Sequence, residues 1–500
     1  MSPVVRNIAA NAAGGIWAIL LNLVAIPIQI RLLGVEAFGL YGFVATMQII
    51  LIVLDLGLPS TIIRELARDQ SPERHFSRSL VQSCWTIYLI ISCLVCAIFI
   101  FAAEWVATHW LNVETIPVTY AAQTLRLLGI YIVFMWPSNI FISVLSGLQH
   151  FPLLNLLRII NITFAQVGGI LVLILTRDLQ AFISFLIINA ALMLIIYGNA
   201  CRKRLPGLSF SPRVYFKVIQ QVRKYSLDMN ANSIISVIFV QADRILISAL
   251  LPLRFLGYYN AVYGIARQIT NIQEYVNSAM FPVMVAKLQS ESADRITPLY
   301  LRYAQQLIYI TILPVFILMF FAYDILRLWT NEEIARAGSI SLILLSSGFL
   351  LSSVASTSWN LSVASGNTRR PLVINSISLI FYLPMMFLFL KQWNITGASL
   401  TWALLNFSYL FTMIPMIQSR ILKISWREWF IASIMPHTAI GICVFGIGAV
   451  LHQIANFQVS WIPVVIMCTA IYLIGGFFAL AAPTRQLVTS TARGVFKGKI

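Results

Sequence analysis

The chain has 500 residues, of which 59% are hydrophobic and only 10% charged, where a soluble domain carries roughly 25% charged residues. The apolar residues fall in blocks of about 20, the length that crosses a bilayer as a helix, so a water-soluble fold is excluded and an all-α, polytopic membrane protein is expected. The net charge of +17 does not point to nucleic acid, because the basic residues concentrate in alternate loops between the apolar blocks.

In chain order, the blocks predict about fourteen transmembrane helices. Six come first, at 14–30, 40–63, 80–103, 124–148, 153–175 and 181–199. A basic loop follows, then six more at 225–251, 258–285, 303–322, 337–364, 372–390 and 397–417, and a last pair at 429–451 and 461–482. The segment after Arg6 is long enough to stay in the membrane as the first helix, so a cleaved signal is not expected. Cys93 and Cys96 have a CxxC spacing, but it lies within an apolar span with no histidine or second pair nearby, and it reads as small apolar packing.

Lys and Arg set the orientation. Counted loop by loop, 25 lie on the side of the two termini and of the loop at 201–224, and 7 on the other, so both termini are expected in the cytoplasm. That loop holds Arg202, Lys203, Arg204, Arg213, Lys217, Arg223 and Lys224, a density suited to anionic lipid.

The stretches on either side of the loop resemble each other. Leu32-Leu33-Gly34 through Gly39-Leu40-Tyr41 aligns with Leu250-Leu251-Pro252 through Gly257-Tyr258-Tyr259 at an offset of 218. Ser146-Gly147 through Pro152-Leu153 aligns with Ser365-Gly366 through Pro371-Leu372 at 219. Six helices, an even number, separate the copies, so the halves run parallel about an axis along the membrane normal. The expected organisation is a six-helix lobe at 1–200, a basic cytoplasmic linker at 201–224, a second six-helix lobe at 225–420, and two extra helices with a basic tail at 421–500. Gly39 and Gly257 are expected to be turn glycines.

A charge at the bilayer centre costs about 2.5–3.5 kcal/mol, so charges within spans mark a cavity or a partner. On 258–285, Asn260, Gly264, Arg267, Asn271, Glu274 and Ser278 step by three or four and share a face. On 225–251, Asp228, Asn232, Ser236 and Asp243 form a looser stripe beside Arg244. Tyr41, Gln48 and Asp55 recur by seven on the second helix, and Asn22 and Gln29 share a face of the first. The candidate cavity-lining residues are therefore Asn22, Gln29, Gln48, Asp55, Asn232, Asp243, Arg244, Arg267, Asn271 and Glu274. The plainer alternative is interhelical hydrogen bonding, worth about 0.6 kcal/mol per contact. Asp55 has a further one, since Gly57 and Pro59 can end its helix near the cytoplasmic interface. Asp243 and Arg267 lie at matching depths of about 12–14 Å from the outer ends of their helices. They either neutralise each other or leave Arg267 to meet a phosphate. Arg126 and Arg158, near span ends, read as snorkelling. The sequence offers no phosphate-binding glycine loop, metal-ligand cluster, nucleophile triad or ATP site, so neither catalysis nor a cofactor or metal is expected.

In order and spacing, several of these pieces resemble a known family. They are Leu33-Gly34 through Phe38-Gly39-Leu40-Tyr41, Asp55-Leu56-Gly57 with Arg64, Ser146-Gly147-Leu148-Gln149, Asp243-Arg244-Ile245-Leu246-Ile247-Ser248, and Gly257-Tyr258-Tyr259. The chain resembles the polysaccharide transporter family of the multidrug/oligosaccharidyl-lipid/polysaccharide exporter superfamily, O-antigen flippases in particular. The resemblance implies two six-helix lobes around a central cavity, with the first, second, seventh and eighth helices beside it. It also implies transport of an undecaprenyl-pyrophosphate-linked oligosaccharide from the cytoplasmic to the periplasmic leaflet of a bacterial inner membrane. The implied partners are that substrate, membrane lipids and polysaccharide assembly proteins. With no ATP site, energy comes from a proton or sodium gradient, the membrane potential or consumption of product. Two alternatives stay open: a cation-coupled multidrug antiporter of the same fold, and a membrane polymerase or glycosyltransferase using the same lipid carrier.

Overall fold

The computed structural model describes residues 3–69, 71, 74–367, 369–422, 424–454, 460–482 and 485, with backbone alone at 3–13, 52, 225, 227–233 and 235–236. Every named element among these is helical. Residues 1–261 and 262–500 form two compact units.

The first unit begins with α1 (Pro3–Leu33) and α2 (Val35–Ile50), separated at Gly34. The predicted span 40–63 is not one helix. A 3-10 turn, Leu51–Asp55, follows α2, and α3 (Leu58–Arg68) starts afresh. Leu56 and Gly57 are both left-handed (φ 52° and 69°), and Pro59 stands at the start of α3. Glycine takes that backbone without penalty, while leucine there costs about 1–2 kcal/mol, so the break is enforced by its surroundings. α4 (His75–Trp105) ends in a π-turn, Val106–Trp110. The span 124–148 is likewise divided, into α5 (Val118–Met135) and α6 (Ser138–Gly147), around Trp136-Pro137. α7 (Phe151–Thr163) passes through a π-turn, Phe164–Gly168, into α8 (Gly169–Thr176). α9 (Leu179–Arg204) and α10 (Phe216–Leu250) run well into the expected linker.

What remains of the basic loop is docked on α4. Gln82 Nε2 donates to the Ser211 carbonyl (2.9 Å), Trp85 Nε1 to the Phe210 carbonyl (3.1 Å), and the Arg213 N–H to the Thr86 hydroxyl (2.8 Å). The Arg202 guanidinium lies 4.1 Å from the centre of the Phe210 ring. α10 packs on α2, α3 and α4. α11 (Leu253–Ala266) and α12 (Gln268–Ser290) divide the predicted span 258–285 at a turn on Arg267.

The second unit continues with α13 (Ala293–Phe320), α14 (Ala322–Trp329), α15 (Glu332–Ala364), α16 (Arg369–Phe411) and α17 (Met413–Ile421). α16 is two helices joined at a kink, where Trp393 and Asn394 leave helical geometry and Asn394 takes φ 50°. α13, α15 and α17 meet at a buried polar knot. Tyr300 shares its hydroxyl with Thr357 (3.0 Å) and Ser358 (2.8 Å) and accepts from Gln418 Nε2 (2.9 Å). A short α18 (Trp426–Trp429) leads through a π-turn, Phe430–Ile434, into α19 (Met435–Ile454), and α20 (Trp461–Ala479) follows. Both dock on α13: Phe316 fills the notch left at Gly441, and Tyr309 and Tyr472 exchange hydrogen bonds with backbone carbonyls across α13 and α20.

Among the described residues, eleven helical stretches are long and apolar enough to cross a membrane. α12 is not among them, because Asn271, Glu274 and Asn277 lower its hydropathy. The two helices of α16 count once, together with α17. Large apolar side chains such as Phe101 (86% exposed) and Leu175 (84%) cover the outside of these helices, as lipid-facing surfaces require and water-facing ones do not.

Candidate functional site

The candidate polar residues gather in three clusters of the first unit and along α12. The first cluster sits where α2 crosses α11. A Cβ on Gly39 would lie 2.4 Å from the Leu253 carbonyl oxygen, and one on Gly257 would lie 2.2 Å from that of Val35. Neither glycine is in a turn. Both lie inside helices, and they are small because two backbones touch there. The contact is reciprocal: 35 and 253, like 39 and 257, are spaced by the repeat offset of 218.

One turn further on, Asn260 lies over Gly42, where a Cβ would sit 1.9 Å from Nδ2. Asn260 Oδ1 accepts from Arg244 Nε at 3.1 Å, and Gln241 Oε1 accepts from Arg244 Nη1 at 2.9 Å. Asp243 accepts from the Tyr259 hydroxyl at 2.6 Å and from the Arg244 backbone N–H at 2.7 Å. Asp243 and Arg244 are buried (5% and 7% exposed). Two opposite charges on adjacent residues, each well supplied with partners, make burial tolerable. Asp243 thus draws its partners from α10 and α11.

The second cluster is Asp55, half-buried at the break after α2. Its Oδ1 accepts from the Tyr88 hydroxyl and from Trp136 Nε1, each at 2.7 Å. Tyr88 and Trp136 are fully buried and lie with ring centres 4.7 Å apart. The third cluster joins α1 to the π-turn after α7. Asn22 Oδ1 accepts from Gln166 Nε2 (2.9 Å), and Gln29 Nε2 donates to Gln166 Oε1 (3.3 Å). Gln48 is half-buried on α2. The side chain of Asn232 lies outside the described residues.

In the second unit, α12 is anchored on one side and open on another. Gln273 accepts from the Ser353 hydroxyl (3.1 Å), and Asn277 donates to Ser356 (3.2 Å) and accepts from the Tyr303 hydroxyl. Asn271 donates to Gln268 (2.9 Å) and is half-buried. Arg267 and Glu274 are both exposed. Seven residues apart, they share a face. Arg267 starts α12 at the turn, its carbonyl accepting from the Thr270 hydroxyl at 2.7 Å. Of the candidate residues, these two charges are the ones open to a ligand, whereas Asp243 and Arg244 are built into packing.

Sequence reasoning missed Tyr88, Trp136 and Gln166. It also missed Glu36, which is 7% exposed and accepts the backbone N–H groups of Glu114 (2.5 Å) and Thr115 (2.7 Å). With the Arg254–Glu114 ion pair (3.2 Å) and the Leu253 N–H donating to the Asn112 carbonyl (2.9 Å), it straps the loop after α4 across α2 and α11. An acidic residue in the first turn of a helix, just after a glycine break, was the available signal. No group of three His, Cys, Asp or Glu that can hold a metal occurs among the described residues.

These features define an all-helical, multi-pass membrane protein with charged side chains placed inside its helices. A family model described as "Polysaccharide biosynthesis protein" matches residues 4–289, and the chain belongs to that family. It is 20% identical over 407 residues to a Shigella flexneri protein named "Putative O-antigen transporter", covering 80% of this chain and 94% of that one. Its fold is similar to that of the lipid II flippase MurJ in an inward closed conformation (TM-score 0.72, 14% identity, 95% and 99% of the two chains). It is also similar to an inward-facing multidrug resistance MATE family transporter of the MOP superfamily (TM-score 0.66, 13% identity, 82% and 96%).

Proposed function

We propose that the protein is a flippase that carries an undecaprenyl-pyrophosphate-linked oligosaccharide from the cytoplasmic to the periplasmic leaflet by alternating access, for the synthesis of a cell-surface polysaccharide. The observation that carries this reading is a family tied to polysaccharide biosynthesis whose member here holds an exposed arginine, Arg267, at a helix break among apolar spans. A guanidinium suits the bidentate recognition of a phosphate, which no neutral side chain replaces. On this reading the membrane is the bacterial inner membrane, both termini are cytoplasmic, and the polysaccharide assembly machinery uses the product. A proton or sodium gradient, the membrane potential or consumption of product drives the cycle.

The reading is tested in cells lacking their own copy of the protein. Lipid-linked oligosaccharide should accumulate on the cytoplasmic side, surface polysaccharide should disappear, and the wild-type chain should restore it. Normal surface polysaccharide in the deletion strain, with no second exporter present, contradicts the reading.

A further inference from the structure

A cavity of about 740 Å³ lies inside the first unit, between α1, α3, α6, α7 and α9. It sits near the ends of these helices that lead into the basic loop, bounded by Ser146 at the end of α6 and Phe151 at the start of α7. Small residues of α1, Gly14, Gly15 and Ala18, leave it room. Its wall is largely apolar except along one line of α7, where Asn155, Arg158 and Asn161 recur every three residues. Arg158 is exposed, and among the described residues no carboxylate pairs with it. Facing it from α9 is Tyr197, 1% exposed, whose hydroxyl has no hydrogen-bond partner among the described residues. Both side chains line the same cavity.

A buried hydroxyl without a partner is a net loss unless something occupies it. An exposed guanidinium near a span end reaches toward the lipid headgroups. Both features suit an anionic hydrogen-bond acceptor. The internal repeat shows that this polar line is not needed to build the lobe. At the offset of 219 anchored on Pro152 and Pro371, the positions of Asn155, Arg158 and Asn161 are Ile374, Ile377 and Ile380. Arg158 is itself exposed at the edge of the cavity, so that edge opens to the outside of the helices, where the exposed surface is apolar.

We propose that this cavity binds the phosphate group of a membrane lipid, with Arg158 pairing with the anion, the Tyr197 hydroxyl donating to it, and the hydrocarbon chain leaving into the bilayer at the open edge beside Arg158. The lipid is either the carrier of the transported sugar, which rests on the transport reading above, or an anionic phospholipid.

The test uses the full-length protein in nanodiscs of phosphatidylcholine, titrated with farnesyl diphosphate, phosphatidylglycerol and inorganic pyrophosphate. Farnesyl diphosphate should bind the wild type, with affinity reduced roughly tenfold or more in Arg158→Gln, the loss expected for a charge-assisted contact. Tyr197→Phe removes only the unpaired hydroxyl, so it should fold at least as stably as the wild type while binding more weakly. Phosphatidylglycerol that fails to compete supports the carrier lipid, and phosphatidylglycerol that competes equally supports a phospholipid. Unchanged affinity in both variants, or inorganic pyrophosphate binding as tightly as farnesyl diphosphate, overturns the proposal. Binding is read without export, so that result leaves the transport reading standing, and a wild type that binds but does not flip sinks only the latter.

Discussion

Replacing Asp55 by alanine separates a structural role for this carboxylate from a cavity-lining one. The substitution leaves the Tyr88 hydroxyl and Trp136 Nε1, both at 2.7 Å from the same oxygen and both on fully buried residues, without an acceptor. Each orphaned buried donor costs about 1–3 kcal/mol. Asp55 itself is half-buried, which favours the lower end and gives about 2 kcal/mol in all. At 1.4 kcal/mol per factor of ten, local opening becomes about thirtyfold more populated. Cys84 is fully buried on α4, one turn before Tyr88, so a variant keeping Cys84 as its single cysteine reports the opening as the rate of modification by a membrane-permeant thiol reagent. Asp55→Ala should raise that rate by an order of magnitude or more. Asp55→Asn, whose amide oxygen still accepts from both donors, should raise it only slightly. Equal rates in wild type and Asp55→Ala would show that the cluster does not hold α4, α5 and the break after α2 together.

Export should be lost or severely reduced in Arg267→Ala with the protein still in the membrane, and partly restored in Arg267→Lys; full export by the alanine variant removes Arg267 from the site. In a chain stripped of its six native cysteines, one placed at Pro206 should resist an impermeant external thiol reagent and one at Asn331 should react, and the reverse pattern overturns the orientation. Gly257→Leu should force α2 and α11 apart, at about 1–3 kcal/mol for overpacking, and lower the thermal stability of the purified protein; an unchanged melting temperature refutes the close crossing. Cysteines replacing Val35 and Arg254, oxidised to a disulfide, should block export until reductant is added. Transport continuing through a fully formed cross-link excludes separation of these helix ends.

The membrane fold was legible because its cause is additive: apolar blocks of spanning length need no knowledge of their partners. The repeat was legible too, and its glycines were found, but their role was misread. Gly39 and Gly257 follow chain breaks at Gly34 and Pro252 and look like turn residues, whereas what they accommodate is another helix more than 200 residues away. The same blindness to distant partners hid Tyr88 and Trp136, which lie 33 and 81 residues from Asp55. The break after Asp55 was legible in Gly57 and Pro59, which do end the helix there, whereas the break at Arg267 was not, since hydropathy runs through it without change. On the seventh and eighth helices the stripe mixed two kinds of group. Asp243 and Arg244 are satisfied within the protein, Arg267 and Glu274 are exposed, and spacing alone cannot divide them.

The most direct test of the transport account is flipping by the purified protein in liposomes. A defined undecaprenyl-pyrophosphate-linked oligosaccharide is placed in one leaflet, and its arrival in the other is read by an impermeant reagent that modifies the sugar. The wild type should expose the sugar far faster than empty liposomes, and Arg267→Ala should not. Wild-type liposomes no faster than empty ones, with an ion gradient of either sign imposed, contradict the account.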